Sequence, residues 1–141
     1  MTNMYLTRRH KAYFDAAYAV SKLSDFPRVK IGCVAVYKHR IISSGYNQTK
    51  THPLQKRVNK YRFDADTNHT IHSEIDCLSQ LIGRGDVDFK DVSLYICRTL
   101  SDGSLGMCRP CAGCMALIKE LGIRHIYYTT EDSYVYEELI Y

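Results

Sequence analysis

The C-terminal half of the sequence reads strand, helix, strand, and this order limits how the chain can fold. The run VSLYIC over 92–97 predicts a buried strand. Pro110 favours the first position of a helix over 111–121, Gly122 ends that helix, and a second strand follows over 124–129. Such a unit joins parallel neighbours by a right-handed crossover. We therefore expect an α/β fold with a mixed sheet and helices on both faces.

The N-terminal part predicts one helix and one hairpin. Apolar residues recur at helical spacing over 6–24, which indicates an amphipathic helix. The runs 29–37 and 40–46 are rich in β-branched residues, and only Lys38 and His39 separate them. Two strands joined by two residues are typical of a β-hairpin.

The remaining segments are a long loop, a third helix and a C-terminal helix. Residues 47–68 are polar and basic, and a loop of this length in a compact domain is often functional. Thr70 is expected to cap a helix over 70–82. Residues 98–109 are interpreted as a loop, and a short helix is expected after Asp132.

Size and composition fit one soluble domain. The 141 residues, 16.3 kDa, suit a single domain over 1–141. No apolar run reaches the roughly 18 residues that a membrane helix needs. The opening MTNMYLTRRHK lacks the apolar core of a signal peptide, so we expect a cytoplasmic protein with its six cysteines reduced.

Charge is unevenly distributed along the chain. Residues 1–62 carry 13 Lys and Arg against Asp15 and Asp25, a balance of +11, while the net charge is only +4. Asymmetry of this kind is compatible with a phosphate-bearing partner, and equally with a solvated basic surface.

Three potential metal ligands precede or open two of the predicted helices. They are His72 in HTIHSE and the pair Cys111 and Cys114 in RPCAGC. One imidazole and two thiolates give Zn²⁺ three protein ligands and leave its fourth position open, which is typical of a catalytic site. Glu74 is close enough in sequence to move a proton without binding the metal.

Two non-catalytic interpretations remain open. A closed structural zinc site would use Cys108 or His69 as the fourth ligand, and the CxxC pair alone would suit a redox site. The other cysteines, which lie within apolar runs, are expected to be buried hydrophobic residues: Cys33, Cys77 and Cys97.

The order HxE and then PCxxC, with Cys111 39 positions after His72, resembles the signature of zinc-dependent nucleobase deaminases. The chain is similar to the cytidine deaminase superfamily, and especially to its deoxycytidylate (dCMP) deaminase branch. The segments that carry the resemblance are KIGCVAV, IISSGYNQT, HSEIDCL and PCAGCMALIKELGIRHIYY.

The resemblance implies a three-layer α/β/α fold with a zinc ion on His72, Cys111 and Cys114. It implies that Glu74 is the proton shuttle. Homo-oligomers, activation by dCTP and inhibition by dTTP occur in similar deaminases. The resemblance also assigns substrate contacts to the side chain of Asn47, which would hold the sugar or base, and to the backbone of Ser73, which would meet the base carbonyl.

Three features depart from the family pattern. Ser73 stands where the family usually has Ala, and Arg109 stands where Glu often precedes the PCxxC proline. The segment 98–109 is longer than the usual link between strand and PCxxC. Because of these changes, the family pattern alone does not determine the shape of the pocket or the identity of the substrate.

The first functional hypothesis is hydrolytic deamination of dCMP to dUMP and ammonia. Arg57 and Arg62 of the basic loop are the candidates for holding the phosphate, because guanidinium groups bind phosphate oxygens in pairs. The alternative is deamination of cytosine or adenine in single-stranded DNA, RNA or tRNA. A third hypothesis is a zinc-stabilised binding module without catalysis.

Overall fold

The structure, a computed structural model, describes residues 2–62 and 69–141. Within these residues, none of the helices is long and apolar enough to cross a membrane. The strands are β1 (Thr2–Asn3), β2 (Lys30–Tyr37), β3 (Arg40–Tyr46), β4 (Gln48–Thr51), β5 (Thr70–Ile71), β6 (Val92–Thr99), β7 (Leu105–Gly106), β8 (His125–Thr129) and β9 (Tyr134–Glu138). The α-helices are α1 (Arg8–Ser21), α2 (Pro53–Val58), α3 (Ser73–Ser79) and α4 (Ala112–Leu121).

A mixed seven-stranded sheet forms the middle of the fold. Its described order is β1-β9-β8-β6-β2-β3, with β7 also paired to β6. β6 and β8 run parallel, with Leu94 beside Ile126, while the other paired strands are antiparallel. The connection between the parallel strands contains α4. The expected parallel pair and mixed sheet are therefore confirmed.

Successive side chains of the central strands pack on opposite faces of the sheet, as the pleat requires. Val34 and Tyr95 belong to the apolar cluster that includes Phe14 of α1. Cys33 and Leu94 belong to the other cluster, together with the buried residues of α3 and α4. The three-layer α/β/α fold is thus confirmed.

The predicted hairpin is present, with β2 and β3 joined by Lys38 and His39. Both linking residues have positive φ angles, 51° and 66°, as two-residue hairpin turns require. The N-terminal helix is also present. It begins at Arg8, after Thr7, whose hydroxyl accepts the backbone N–H of His10 at 3.1 Å.

The predicted helix over 70–82 is shorter than expected, because its first two residues form β5 and its N-cap is His72 rather than Thr70. α3 packs directly on β3 at Gly45. A Cβ atom there would lie 2.6 Å from the carbonyl oxygen of Ser73, so only glycine permits this approach. The close packing fixes the start of α3 relative to the sheet.

Three other expectations differ from the structure. The segment 98–109, interpreted as a loop, begins within β6 and contains β7. The segment expected as a loop over 47–68 contains β4, α2 and a 3₁₀ turn over Asn59–Tyr61, while residues 63–68 lie outside the described part. After Asp132 the chain forms β9 and not a helix. Pairing with β8 on one side and with β1 on the other stabilises β9 as a strand.

Candidate metal centre and active site

Two helix starts meet beside the carboxyl end of β6. His72 immediately precedes α3, Cys111 is the N-cap of α4, and Cys114 lies in the first turn of α4. Pro110 therefore precedes the N-cap and does not occupy the first helical position. The candidate ligand atoms of His72, Cys111 and Cys114 all lie within 4.8 Å of one another. The structure brings together the three residues that the motifs predict.

The spacing of these atoms fits a zinc ion. Nδ1 of His72 lies 3.3 Å from the sulfur of Cys114 and 3.5 Å from that of Cys111. In a tetrahedral site with ordinary Zn–N and Zn–S bond lengths, a nitrogen and a sulfur ligand are about 3.5 Å apart. Among the described residues, no further His, Cys, Asp or Glu joins this cluster. Three protein ligands leave one zinc position for another molecule.

The alternative fourth ligands lie elsewhere. The buried Cys108 thiol donates to the carbonyl oxygen of Ile96 at 3.3 Å, and burial raises its pKa to about 12. Nδ1 of His69 lies 2.9 Å from the side-chain nitrogen of Asn59. Neither residue belongs to the ligand cluster, so the geometry favours an open site over a closed structural one.

The two cysteines differ in their readiness to ionise. A hydrogen bond from the Cys114 thiol, followed by the interaction with His72, lowers the pKa of Cys111 to about 4. The Cys114 backbone N–H also points to the Cys111 sulfur, at 3.5 Å. The pKa of Cys114 is raised by its hydrogen bond to Cys111 and by complete burial. Metal binding must therefore displace a proton from Cys114.

Glu74 lies beside the cluster in the buried first turn of α3. Burial raises the pKa of its carboxyl group, against the opposing effects of His72 and of the Ser73 hydroxyl. That hydroxyl donates to Oε1 of Glu74 at 2.5 Å. A buried carboxyl group with a raised pKa is suited to accept and release a proton.

A cavity of about 410 Å³ opens onto His72, Glu74 and Cys111. Its volume is in the range of small-molecule sites. Its other walls are formed by apolar residues such as Phe26, Ile31 and Met107, and by the side chains of Asn47, Arg98 and Arg109. A larger cavity of about 1050 Å³ lies against α1, and none of the candidate metal ligands lines it. The smaller cavity is therefore the one that adjoins the candidate metal centre.

Asn47 lines this cavity, and its amide group also fixes the adjoining backbone. Its side-chain oxygen accepts the N–H of Ile31 at 2.9 Å, and its side-chain nitrogen donates to the carbonyl oxygen of Val29 at 2.8 Å. One N–H of the amide remains for a ligand. Ser73 is fully buried behind Glu74.

Neither Arg57 nor Arg62 is among the described residues that line the cavity. Arg57 is exposed on α2 and pairs with Glu120 of α4 at 3.4 Å. Arg62 lies closer to the site, with one guanidinium nitrogen 3.2 Å from Nε2 of His72. Of the two arginines that the sequence singles out, Arg62 contacts a candidate metal ligand, whereas Arg57 pairs with Glu120.

Helix α2 links the two halves of the ligand set, a role that the sequence does not suggest. Gln55 is fully buried, and its side-chain oxygen accepts the backbone N–H of His72 at 2.9 Å. At the other end, a Cβ atom on Gly113 would lie 2.7 Å from the carbonyl oxygen of Val58. α2 therefore contacts the backbone next to His72 and the backbone between the two cysteines.

Arg109, the residue that replaces the usual Glu, forms an ion pair with Glu137 of β9. Its guanidinium donates to the two carboxylate oxygens at 2.9 and 2.7 Å. These hydrogen bonds lower the pKa of Glu137. Arg109 thus ties the start of the PCxxC motif to the last strand of the sheet.

The family model described as "Cytidine and deoxycytidylate deaminase zinc-binding region" matches residues 7–130. A curated relative, the tRNA-specific adenosine deaminase subunit tad2 of Schizosaccharomyces pombe, is 24% identical over 122 residues, which are 85% of this chain. The chain spans about a quarter of that relative's length, 25%.

Solved structures share the fold at low identity. The dCMP deaminase of cyanophage S-TIM5 in apo form is 21% identical, covers 92% of this chain and 87% of its own, and has a TM-score of 0.63. A cytidine deaminase from Burkholderia pseudomallei is 16% identical, covers 94% of this chain and 93% of its own, and has a TM-score of 0.65. With the family model matching most of the chain and the ligand trio assembled, this chain belongs to the cytidine and deoxycytidylate deaminase zinc-binding family.

Proposed function

We propose that this protein is a zinc-dependent hydrolytic deaminase that converts dCMP and water into dUMP and ammonia. The observation that carries the proposal is the placement of Glu74. Its buried carboxyl group lines the same cavity as His72 and Cys111, while taking no place in the ligand trio. A proton-transfer group beside an open metal position is the arrangement that hydrolytic deamination needs.

His72, Cys111 and Cys114 would hold the zinc ion. When bound there, zinc supplies Lewis-acid chemistry and lowers the pKa of a water molecule to about 7. Glu74 takes a proton from the water that adds to carbon 4 and passes it to ring nitrogen 3. It then moves the proton of the new hydroxyl group on carbon 4 to the amino group, which leaves as ammonia when the carbon–nitrogen bond breaks and carbon 4 becomes a carbonyl.

The other cavity residues orient the substrate. We assign the remaining amide N–H of Asn47 to the sugar or base, and the backbone of Ser73 to the base carbonyl. The Ser73 hydroxyl keeps the Glu74 carboxylate in one orientation through its hydrogen bond. Homo-oligomer formation and regulation by dCTP and dTTP remain predictions.

The decisive experiment pairs product analysis with one substitution. Zinc-loaded protein is incubated with dCMP, dCTP, deoxycytidine, a cytosine oligonucleotide and adenosine tRNA stems, and replacement of the amino group by oxygen is followed by mass spectrometry. Glu74→Gln should abolish ammonia release while metal analysis shows zinc retained. Unchanged biological activity in this variant would support a non-catalytic zinc module and contradict the proposal.

Deamination of a base in a polynucleotide is the second candidate, and the likeness to a tRNA-specific adenosine deaminase subunit favours it. Polynucleotide binding depends steeply on salt because several counterions are released. Strong salt dependence with a tRNA stem, together with no reaction of dCMP, would establish this candidate. Turnover of dCMP that added oligonucleotide leaves unchanged would exclude it.

A further inference from the structure

Arg98 is brought to the cavity by the alternation of β6. Leu94 and Ile96 point to the face of the sheet that packs on α3 and α4. Arg98 follows them with the same parity and lines the cavity at the carboxyl end of the strand. The end of a parallel strand next to a helix start is where α/β sheets bind ligands. The position of Arg98 is therefore that of a ligand-binding residue.

The side chain of Arg98 is held in place, but most of its hydrogen-bond donors have no partner among the described residues. Its Cδ atom passes close over Gly106, so that a Cβ atom added to this glycine would lie 2.9 Å from the Cδ atom of Arg98. One terminal nitrogen donates to the carbonyl oxygen of Met107 at 3.2 Å. Nε is buried and has no hydrogen-bond partner within the described residues. A guanidinium carries five N–H donors, so most of those on Arg98 remain available to an anion.

The other arginine of the cavity is already paired. Arg109 directs two donors to Glu137, which neutralises its charge locally. Arg57 pairs with Glu120 and does not line the cavity. Arg98 is thus the one cavity arginine that lacks a carboxylate partner among the described residues.

We propose that Arg98 binds the phosphate of the substrate and makes this cavity select nucleoside monophosphates over nucleosides. The inference rests on the proposed deaminase function. The fork of N–H groups on a guanidinium matches phosphate oxygens, and the charge-assisted hydrogen bonds are stronger than neutral ones.

The test compares Arg98→Gln with the matched control Arg84→Gln, because Arg84 pairs with Asp86 at the surface and does not line the cavity. We expect Arg98→Gln to lower kcat/KM for dCMP by roughly 10- to 100-fold, in line with the loss of charged hydrogen bonds, while kcat/KM for deoxycytidine stays within about twofold. Arg84→Gln should leave both values unchanged. Equal losses for dCMP and deoxycytidine in Arg98→Gln would mean a structural role and would overturn the proposal.

Two further measurements keep the result clear. Arg98→Lys retains the charge without the planar fork, so its kcat/KM for dCMP should lie between the values for the wild type and Arg98→Gln. It also serves as the second variant where Arg98→Gln folds poorly. Calorimetric binding of dUMP and deoxyuridine needs no turnover. If the wild type deaminates nothing, the proposed function fails, yet a loss of dUMP binding in Arg98→Gln would still support the phosphate contact. A loss confined to a cytosine oligonucleotide would contradict the choice of mononucleotides.

Discussion

The side-chain oxygen of Gln55, which is fully buried, accepts the backbone N–H of the half-buried His72 at 2.9 Å. The side-chain nitrogen of Gln55 donates to Oδ1 of Asn59 at 2.8 Å. The side-chain nitrogen of Asn59 in turn lies 2.9 Å from Nδ1 of His69. This chain of contacts fixes the backbone on both sides of β5. It makes Gln55 a positioning residue for the first metal ligand.

Gln55→Leu should weaken both the fold and the metal site. The substitution keeps an apolar volume but leaves the buried N–H of His72 without an acceptor, a cost of about 1–3 kcal/mol. Zinc affinity should fall roughly tenfold, the lower end of what loss of a supporting hydrogen bond costs. Urea denaturation and competition with a chromophoric chelator measure the two effects. The exposed neighbour Lys56→Ala is the control, and zinc binding by Gln55→Leu at the wild-type level would refute this role.

Gly113→Ala should disturb the cysteine half of the site. The new Cβ atom would lie 2.7 Å from the carbonyl oxygen of Val58, so α2 and α4 must move apart. We expect a loss of about 1–3 kcal/mol in the free energy of unfolding, with weaker zinc binding. Ala112→Ser, one residue away and exposed, should stay within about 0.5 kcal/mol of wild type. Similar stability of the two variants would show that the helices tolerate the separation.

Arg62→Gln should tighten zinc binding. With the metal on Nδ1 of His72, the proton resides on Nε2 and needs an acceptor, and a guanidinium offers none. Glutamine offers a carbonyl oxygen, so the zinc dissociation constant should fall by roughly three- to tenfold. Arg62→Lys, again a donor only, should show no gain. If Arg62 contacts the substrate phosphate, as the sequence predicts, both variants lose affinity for dCMP and keep that for deoxycytidine.

The Arg109–Glu137 pair should stabilise the protein only above acidic pH. Arg109 lowers the pKa of Glu137 below its ordinary 4.5. The folded state therefore binds fewer protons than the unfolded state, and the contribution is complete above 4.5 and lost as pH falls through the lowered value. Because Arg109 is well exposed to solvent, we expect Arg109→Gln to cost about 0.5–1 kcal/mol near neutral pH. Urea denaturation should show the difference shrink as the pH falls below 4.5 and through the lowered pKa of Glu137; a constant difference would contradict the assignment.

The parts of the site that depend on local sequence could be predicted. His72 and Cys111 each lie at a helix start that short motifs define, and Lys38 and His39 alone fix the hairpin turn. α2 could not be predicted, because its six residues show no usable period. Its two buried residues, Gln55 and Val58, gain their importance from contacts with segments distant in sequence.

The ends of strands were equally hard to predict. The mainly apolar run VSLYIC in β6 stops at Cys97, but pairing with β2 and β7 continues the strand through Thr99. That extension places Arg98 in a strand and gives it a defined face. Likewise, Tyr134–Glu138 forms a strand because it pairs with the edge of β8, and no local sequence pattern indicates this pairing.

The unequal burial of the six cysteines gives the metal centre its own reporter. Cys111 is partly exposed, whereas the other five thiols are buried. Its lowered pKa keeps it ionised at neutral pH, and thiolates are the form that alkylating reagents attack. Such a reagent would therefore label Cys111 first, and because a bound zinc ion would hold this thiolate, the fraction labelled before the other cysteines react would report the molecules whose centre is empty.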